Sequence, residues 1–151
     1  MKRIKIALAC SAGGHLAELS QLAQFYEKWD HFFVTFKRPD SEEFAKNHVV
    51  FFVERPGRNP VKTVQNLWQA WKILRDQNPD LILSTGADAA VPLLVLGKLL
   101  GKKVVFVESF CRTKQPSVSG RIAYRFSDLF IYQWEELGRF FPKGKLGGSI
   151  F

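Results

Sequence analysis

Cysteine, methionine and long apolar runs are what this sequence has least of, and each shortage removes a class of protein. Only two cysteines occur, Cys10 and Cys111, far apart and at no metal-ligand spacing. A disulfide-stapled scaffold is therefore disfavoured, and a reducing cytosolic setting is the default. No cluster of His, Cys, Asp and Glu suggests a metal site, so neither a metal nor a cofactor is expected. The longest apolar run, residues 89–97, contains Pro92 and stops at Lys98. It falls far short of the roughly 20 residues that span a bilayer. Met1-Lys2-Arg3 leads directly into an apolar strand, without the pattern of a signal peptide. A soluble or peripheral protein is expected, with no transmembrane segment. Repeats and low-complexity tracts are also lacking.

Acidic residues are the other minority: 14 Asp and Glu stand against 22 Lys and Arg, a net charge of +8. Residues 97–125 concentrate the excess, with Lys98, Lys102, Lys103, Arg112, Lys114, Arg121 and Arg125 against Glu108 alone. Such a stretch suits an anionic membrane surface or a phosphorylated ligand. Aromatics are few within it and no nucleic-acid motif accompanies it, so no nucleic acid is expected as a partner.

With 151 residues, 46% of them apolar, the chain is one domain able to bury about 70% of its unfolded surface. Strands are expected at residues 4–10, 31–36, 48–53, 81–83, 104–107 and 129–132. Helices are expected at 15–28, 41–46, 60–77, up to Leu100, at 120–126 and at 135–141. Pro60 suits a first helical turn and Gly101 a helix end. The tail, 144–151, is apolar at its end and finds no partner in the pattern. Strictly alternating strands and helices predict an α/β fold, a doubly wound parallel sheet of Rossmann-like type with right-handed crossovers. In such sheets ligands bind beyond the carboxyl ends of the strands, where the strand order reverses. If strands 1, 4 and 5 are neighbours, the loops at 11–15, 84–88 and 108–114 converge there.

Cys10-Ser11-Ala12-Gly13-Gly14-His15 is the centre of that expectation. Paired glycines at a strand-to-helix turn permit positive φ and clear space for a ligand. Free N–H groups of the first helical turn suit an anionic or hydroxyl-rich ligand. His15, at the positive end of the helix dipole, is expected to stay neutral and able to accept a proton; a capping or packing role is the alternative. A dinucleotide site is disfavoured, because S-A-G-G-H-L is not G-x-G-x-x-G and strand 2 ends in Phe36-Lys37-Arg38 rather than an acid.

Ala12-Gly13-Gly14-His15, Asn78-Pro79-Asp80, Ser84-Thr85-Gly86 and the run from Val104 to Glu108-Ser109 resemble the N-terminal half of GT-B glycosyltransferases. Over nearly the whole chain, and most specifically at residues 84–132 with Glu108-Ser109-Phe110-Cys111-Arg112, the sequence is similar to the asparagine-linked glycosylation protein fourteen family and its bacterial polysaccharide relatives. The resemblance implies a membrane-associating acceptor domain covering residues 1–151. A separate donor-binding glycosyltransferase subunit would complete the heterodimer, and the apolar tail would dock on it. The implied reaction carries a sugar, with inversion, from a UDP-sugar to a polyprenyl-diphosphate-linked saccharide at the cytoplasmic face of the membrane; a non-catalytic tether is the alternative.

On that basis His15 and Glu108 are the candidate bases, with an ion pair to Arg112 or Arg121 as the other reading of Glu108. Ser11, Gly13, Gly14, Thr85, Gly86, Asp88, Ser109, Arg112 and Lys114 are candidate acceptor contacts. Asp88 is alternatively a helix cap, and Arg112 and Lys114 a diphosphate clamp or a solvated loop. Along the helix at 60–77, Leu67, Trp68 and Trp71 among Lys62, Lys72 and Arg75 suit a headgroup layer; filling the core is the alternative.

Overall fold

Runs of β-branched and aromatic residues assemble side by side into one parallel sheet. The computed structural model describes residues 3–151. Among them the strands are β1 (Lys5–Cys10), β2 (Asp30–Thr35), β3 (Val50–Phe52), β4 (Leu81–Gly86), β5 (Lys103–Val107), β6 (Leu129–Tyr132) and β7 (Lys145–Leu146). Their order is β3-β2-β1-β4-β5-β6-β7, every pairing parallel. The order reverses between β1 and β4, and β1, β4 and β5 are neighbours, the condition on which the expected convergence of loops depends.

Each strand sends alternate side chains to opposite faces. Ala7, Ala9, Phe32, Val34, Ile82, Val104 and Phe106 meet Ala70, Ile73, Leu74, Leu93, Leu94 and Ala123 from helices α4 (Pro60–Gln77), α5 (Val91–Leu99) and α6 (Val118–Phe126). On the other face Ile6, Leu8, Cys10, Phe33, Leu83 and Val107 meet Leu16, Leu19 and Tyr26 from α1 (Gly14–Ser20) and α2 (Ala23–Tyr26). Between β2 and β3 lies α3 (Pro39–Phe44). Local chemistry sets the limits of α4. Asn59 Oδ1 accepts from the N–H groups of Val61 and Lys62, Pro60 fills the first turn, and Asn78 ends the helix at φ +44° before Pro79.

Four elements depart from the expected pattern. The single helix at 15–28 is two pieces, α1 and α2. Ser20 Oγ donates to the Leu16 carbonyl, and Leu22 leaves the helical region at the break. β4 runs through Gly86, so Ser84 and Thr85 are buried strand residues rather than loop. The last helix shrinks to a 3₁₀ turn at Glu135–Leu137. The tail, without a pattern of its own, adds β7 beside β6, and the Phe151 ring meets Phe110 at 5.3 Å.

The basic stretch is not one patch in space. Lys98, Lys102 and Lys103 lie at the N-terminal end of β5, opposite the switch-point loops, where Lys98 and Lys103 pair with Asp128. Lys98 holds the Asp128 carboxyl below its usual range. No helix among the described residues is long and apolar enough to cross a membrane.

Candidate functional site

The loops after β1, β4 and β5 do converge, and a cavity of about 660 Å³ opens between them. Ser11 draws the first two together. Its N–H donates to the Gly86 carbonyl at 2.7 Å, its hydroxyl donates to Asp88 Oδ1 at 3.3 Å, and it accepts from Ala87 N–H. Asp88 is a cross-link rather than a cap, because the residue capping α5 is Ala90. Its Oδ2 accepts from Arg55 Nε and Gly57 N–H, both at 3.2 Å, which holds the 55–57 loop over the cavity. Asn66, fully buried, donates to the carbonyls of Glu54 and Ala89 and fixes the same loop from beneath.

His15 and Thr85 clasp each other. Thr85 Oγ1 donates to the His15 carbonyl at 2.7 Å, and His15 Nδ1 lies 2.8 Å from the Thr85 carbonyl oxygen. A carbonyl oxygen only accepts, so Nδ1 carries the hydrogen and Nε2 keeps its lone pair in the neutral ring. His15 is part of the cavity lining, and in the neutral ring Nε2 is its proton-accepting nitrogen. Gly86 makes room for it: at φ +98°, a Cβ there would stand 3.3 Å from Ser119 Oγ and 3.4 Å from His15 Cε1.

Of the expected contacts, Gly14, Asp88, Ser109 and Arg112 line the cavity with His15. Ser11, Thr85 and Gly86 are buried behind its wall as framework. Gly13 departs from expectation. Its N–H is not free for an anion but donates to Asp40 Oδ2 at 2.7 Å, a carboxylate in the first turn of α3. Lys114 is also elsewhere, beside Glu136 and Arg139 in a separate depression.

Glu108 is the larger correction. It is 1% exposed and does not line the cavity. Its carboxylate accepts from Ser109 N–H at 3.0 Å, Ser117 N–H at 3.0 Å and Ser117 Oγ at 2.7 Å, and it faces these donors rather than Arg112 or Arg121. Ser117 caps α6 through Gly120 N–H. The charge thus sits at the positive end of that helix and braces the 108–117 loop. A carboxylate so enclosed cannot reach an acceptor hydroxyl, which removes it as a base.

Glu18, one helical turn after His15, was not expected. It lines the cavity, is 3% exposed, and burial raises its carboxyl above the ordinary value. The signal in the sequence is a glutamate between Leu16 and Leu19 on the buried side of a helix.

The α4 surface is settled in favour of exposure. Leu67 is 36%, Trp68 60% and Trp71 42% exposed. Lys72 lies over the Trp68 ring and Arg75 over Trp71.

Residues 53–150 match the family model described as "Oligosaccharide biosynthesis protein Alg14 like". The UDP-N-acetylglucosamine transferase subunit ALG14 of Homo sapiens is 29% identical, across 97% of this chain and 83% of that one. The subunit alg14 of Schizosaccharomyces pombe is 40% identical, across 48% and 37%. Among solved structures, MurG of Acinetobacter baumannii superposes with a TM-score of 0.74 at 14% identity, across 88% of this chain and 42% of that one. UDP-N-acetylglucosamine 2-epimerase of Rickettsia bellii does so with 0.77 at 15%, across 99% and 46%. At these identities the likeness is one of fold, the open Rossmann-like arrangement of GT-B N-terminal domains, and this chain spans less than half of either structure.

Proposed function

The chain belongs to the Alg14-like family of oligosaccharide biosynthesis proteins, and we propose that it is the acceptor-side subunit of a two-chain inverting glycosyltransferase. The donor is a UDP-sugar held by a separate subunit; the names of the human and fission-yeast relatives point to N-acetylglucosamine. The acceptor is a polyprenyl-diphosphate-linked saccharide seated in the cavity.

The observation that carries this reading is the His15–Thr85 clasp, which holds the Nδ1 hydrogen on a main-chain carbonyl and so assigns the accepting role in the neutral ring to Nε2, on a side chain that lines a cavity at the switch point. As the acceptor oxygen attacks C1 of the donor sugar, Nε2 takes its proton. The new C1–O bond forms on the face opposite the C1–O bond to diphosphate, which breaks, and UDP leaves with the electron pair. General-base assistance of this kind contributes about 10²–10⁴-fold. Gly14, Asp88, Ser109 and Arg112 serve as acceptor contacts, with the exposed guanidinium of Arg112 matched to the diphosphate. Ser11, Gly13, Thr85 and Gly86 keep the wall in place.

Leu67, Trp68 and Trp71, with Lys72 and Arg75 against the indoles, form the face assigned to the lipid headgroups. That attachment is peripheral and on the cytoplasmic side. The outer edge of β7, with Leu146 and Phe151 exposed, is assigned to the donor-binding subunit.

Co-expression with that subunit and assay of label transfer from UDP-N-acetylglucosamine to a short-tailed prenyl diphosphate saccharide tests the reading. His15→Ala is expected to lower kcat about 10²–10⁴-fold. Unchanged turnover in this variant would sink the catalytic role and leave a tether that only recruits its partner.

A further inference from the structure

We propose that Glu18 is an acceptor-positioning residue, taking on Oε2 a hydrogen bond from a hydroxyl or amide N–H of the saccharide in the cavity. The inference rests on reading the cavity as the acceptor site. Glu18 is nine-tenths buried and more, lines the cavity, and stands one helical turn beyond His15. Its two oxygens are treated differently. Oε1 accepts from Ser109 Oγ at 2.8 Å and from Phe110 N–H at 3.1 Å. Oε2 is buried with no hydrogen-bond partner among the described residues.

A buried carboxylate oxygen without a donor is costly, and folded proteins leave few of them unexplained. Oε1 is pinned to the β5 loop, so the side chain cannot swing away to satisfy Oε2 elsewhere. The ionised Oε2 meets no donor among the described residues, so the donor assigned to it belongs to a ligand in the cavity. A phosphate brings only acceptors and negative charge, and is repelled. A saccharide brings hydroxyls and, if acetylated at nitrogen, an amide N–H. The cavity is thus polarised: Arg112 on one part of its lining favours the anionic diphosphate, while Glu18 favours the sugar. This sorting places the saccharide beside His15, where the attacking hydroxyl has to be.

Glu18→Gln keeps the shape and one accepting oxygen, but replaces the other with a donor. In the two-subunit enzyme the KM for the acceptor is expected to rise about ten- to a hundredfold, the loss of one charge-assisted hydrogen bond, with the KM for the UDP-sugar unchanged. Binding of a short-tailed prenyl diphosphate N-acetylglucosamine to the chain alone should weaken by the same factor, without a lower melting temperature at neutral pH. Wild-type-like acceptor KM in the variant overturns the role of Glu18, as does a lower melting temperature with no change in KM. Failure of the wild-type chain to bind the probe would instead overturn the cavity reading, and this proposal with it.

Discussion

Replacing Glu108 with alanine should unfold a wall rather than stop a proton transfer. The carboxylate holds two main-chain N–H groups, those of Ser109 and Ser117, and the Ser117 hydroxyl. The hydroxyl still has Ser119 Oγ within 3.2 Å, so truncation strands chiefly the two N–H groups. Each stranded buried donor costs about 1–3 kcal/mol. Part of that is offset because a desolvated charge is also removed, so a net loss of about 2–5 kcal/mol is expected. At roughly 2–4 °C per kcal/mol for a chain of this size, Tm should fall by about 5–20 °C. Glu108→Gln keeps one oxygen but turns an amide toward a donor, and should cost about 1–3 kcal/mol. Calorimetric melts of both variants, with turnover in the two-subunit enzyme normalised to folded protein, provide the assay. A Glu108→Gln enzyme that melts like wild type yet loses about 10²-fold or more in kcat would refute the bracing role and restore Glu108 as a base.

Three further outcomes follow from the same geometry. Burial raises the Glu18 carboxyl, so between its ordinary value and its raised folded value the folded state binds more protons than the unfolded state, and stability falls as pH rises through that window. The melting temperature of Glu18→Gln relative to wild type should therefore climb in calorimetric scans as pH rises above the ordinary carboxyl value of 4.5, and a gap constant with pH would contradict it. Burial pushes the Cys10 thiol up to about 12, whereas Cys111 is exposed at the cavity. Intact-mass analysis after iodoacetamide should show one adduct, on Cys111, formed more slowly when acceptor is present; an adduct on Cys10 in native protein would count against the packing described. Trp68→Ala with Trp71→Ala should lower co-flotation with anionic vesicles at least about tenfold, with residual binding weakened by salt; unchanged flotation would remove α4 as the contact.

Most of the sheet was legible because β1 to β5 repeat one signal: an apolar run ending in a turn, followed by a helical period. That signal gave the strands and their following loops, His15 among them; the adjacency of β1, β4 and β5 was a condition of the expected convergence, and the sheet order meets it. It could not say which way a side chain faces once it leaves a strand. Glu108 follows Val107 directly, and only the Ser117 cap, nine residues on, turns it inward. Asp40 reaches Gly13 from 27 residues away, so nothing near the glycines announces that their N–H is taken. β7 is two residues long and gains its strand character from Ile131 and Tyr132 rather than from its own composition. Glu18 was readable, as an acid on the buried side of α1, but the same position in most helices would carry a leucine or a solvated acid, and the cavity that distinguishes the cases exists only in three dimensions. The basic run at 97–125 shows the converse: adjacent in sequence, it divides between the two ends of the sheet.

The most direct test of the account is the imidazole nitrogen spectrum of His15, assigned against His15→Gln, with and without a short-tailed prenyl diphosphate saccharide. The account predicts the Nδ1–H tautomer for the free chain's imidazole, and an Nε2 resonance that moves when the saccharide binds. A ring protonated on Nε2, or an Nε2 resonance indifferent to saturating saccharide, would contradict it.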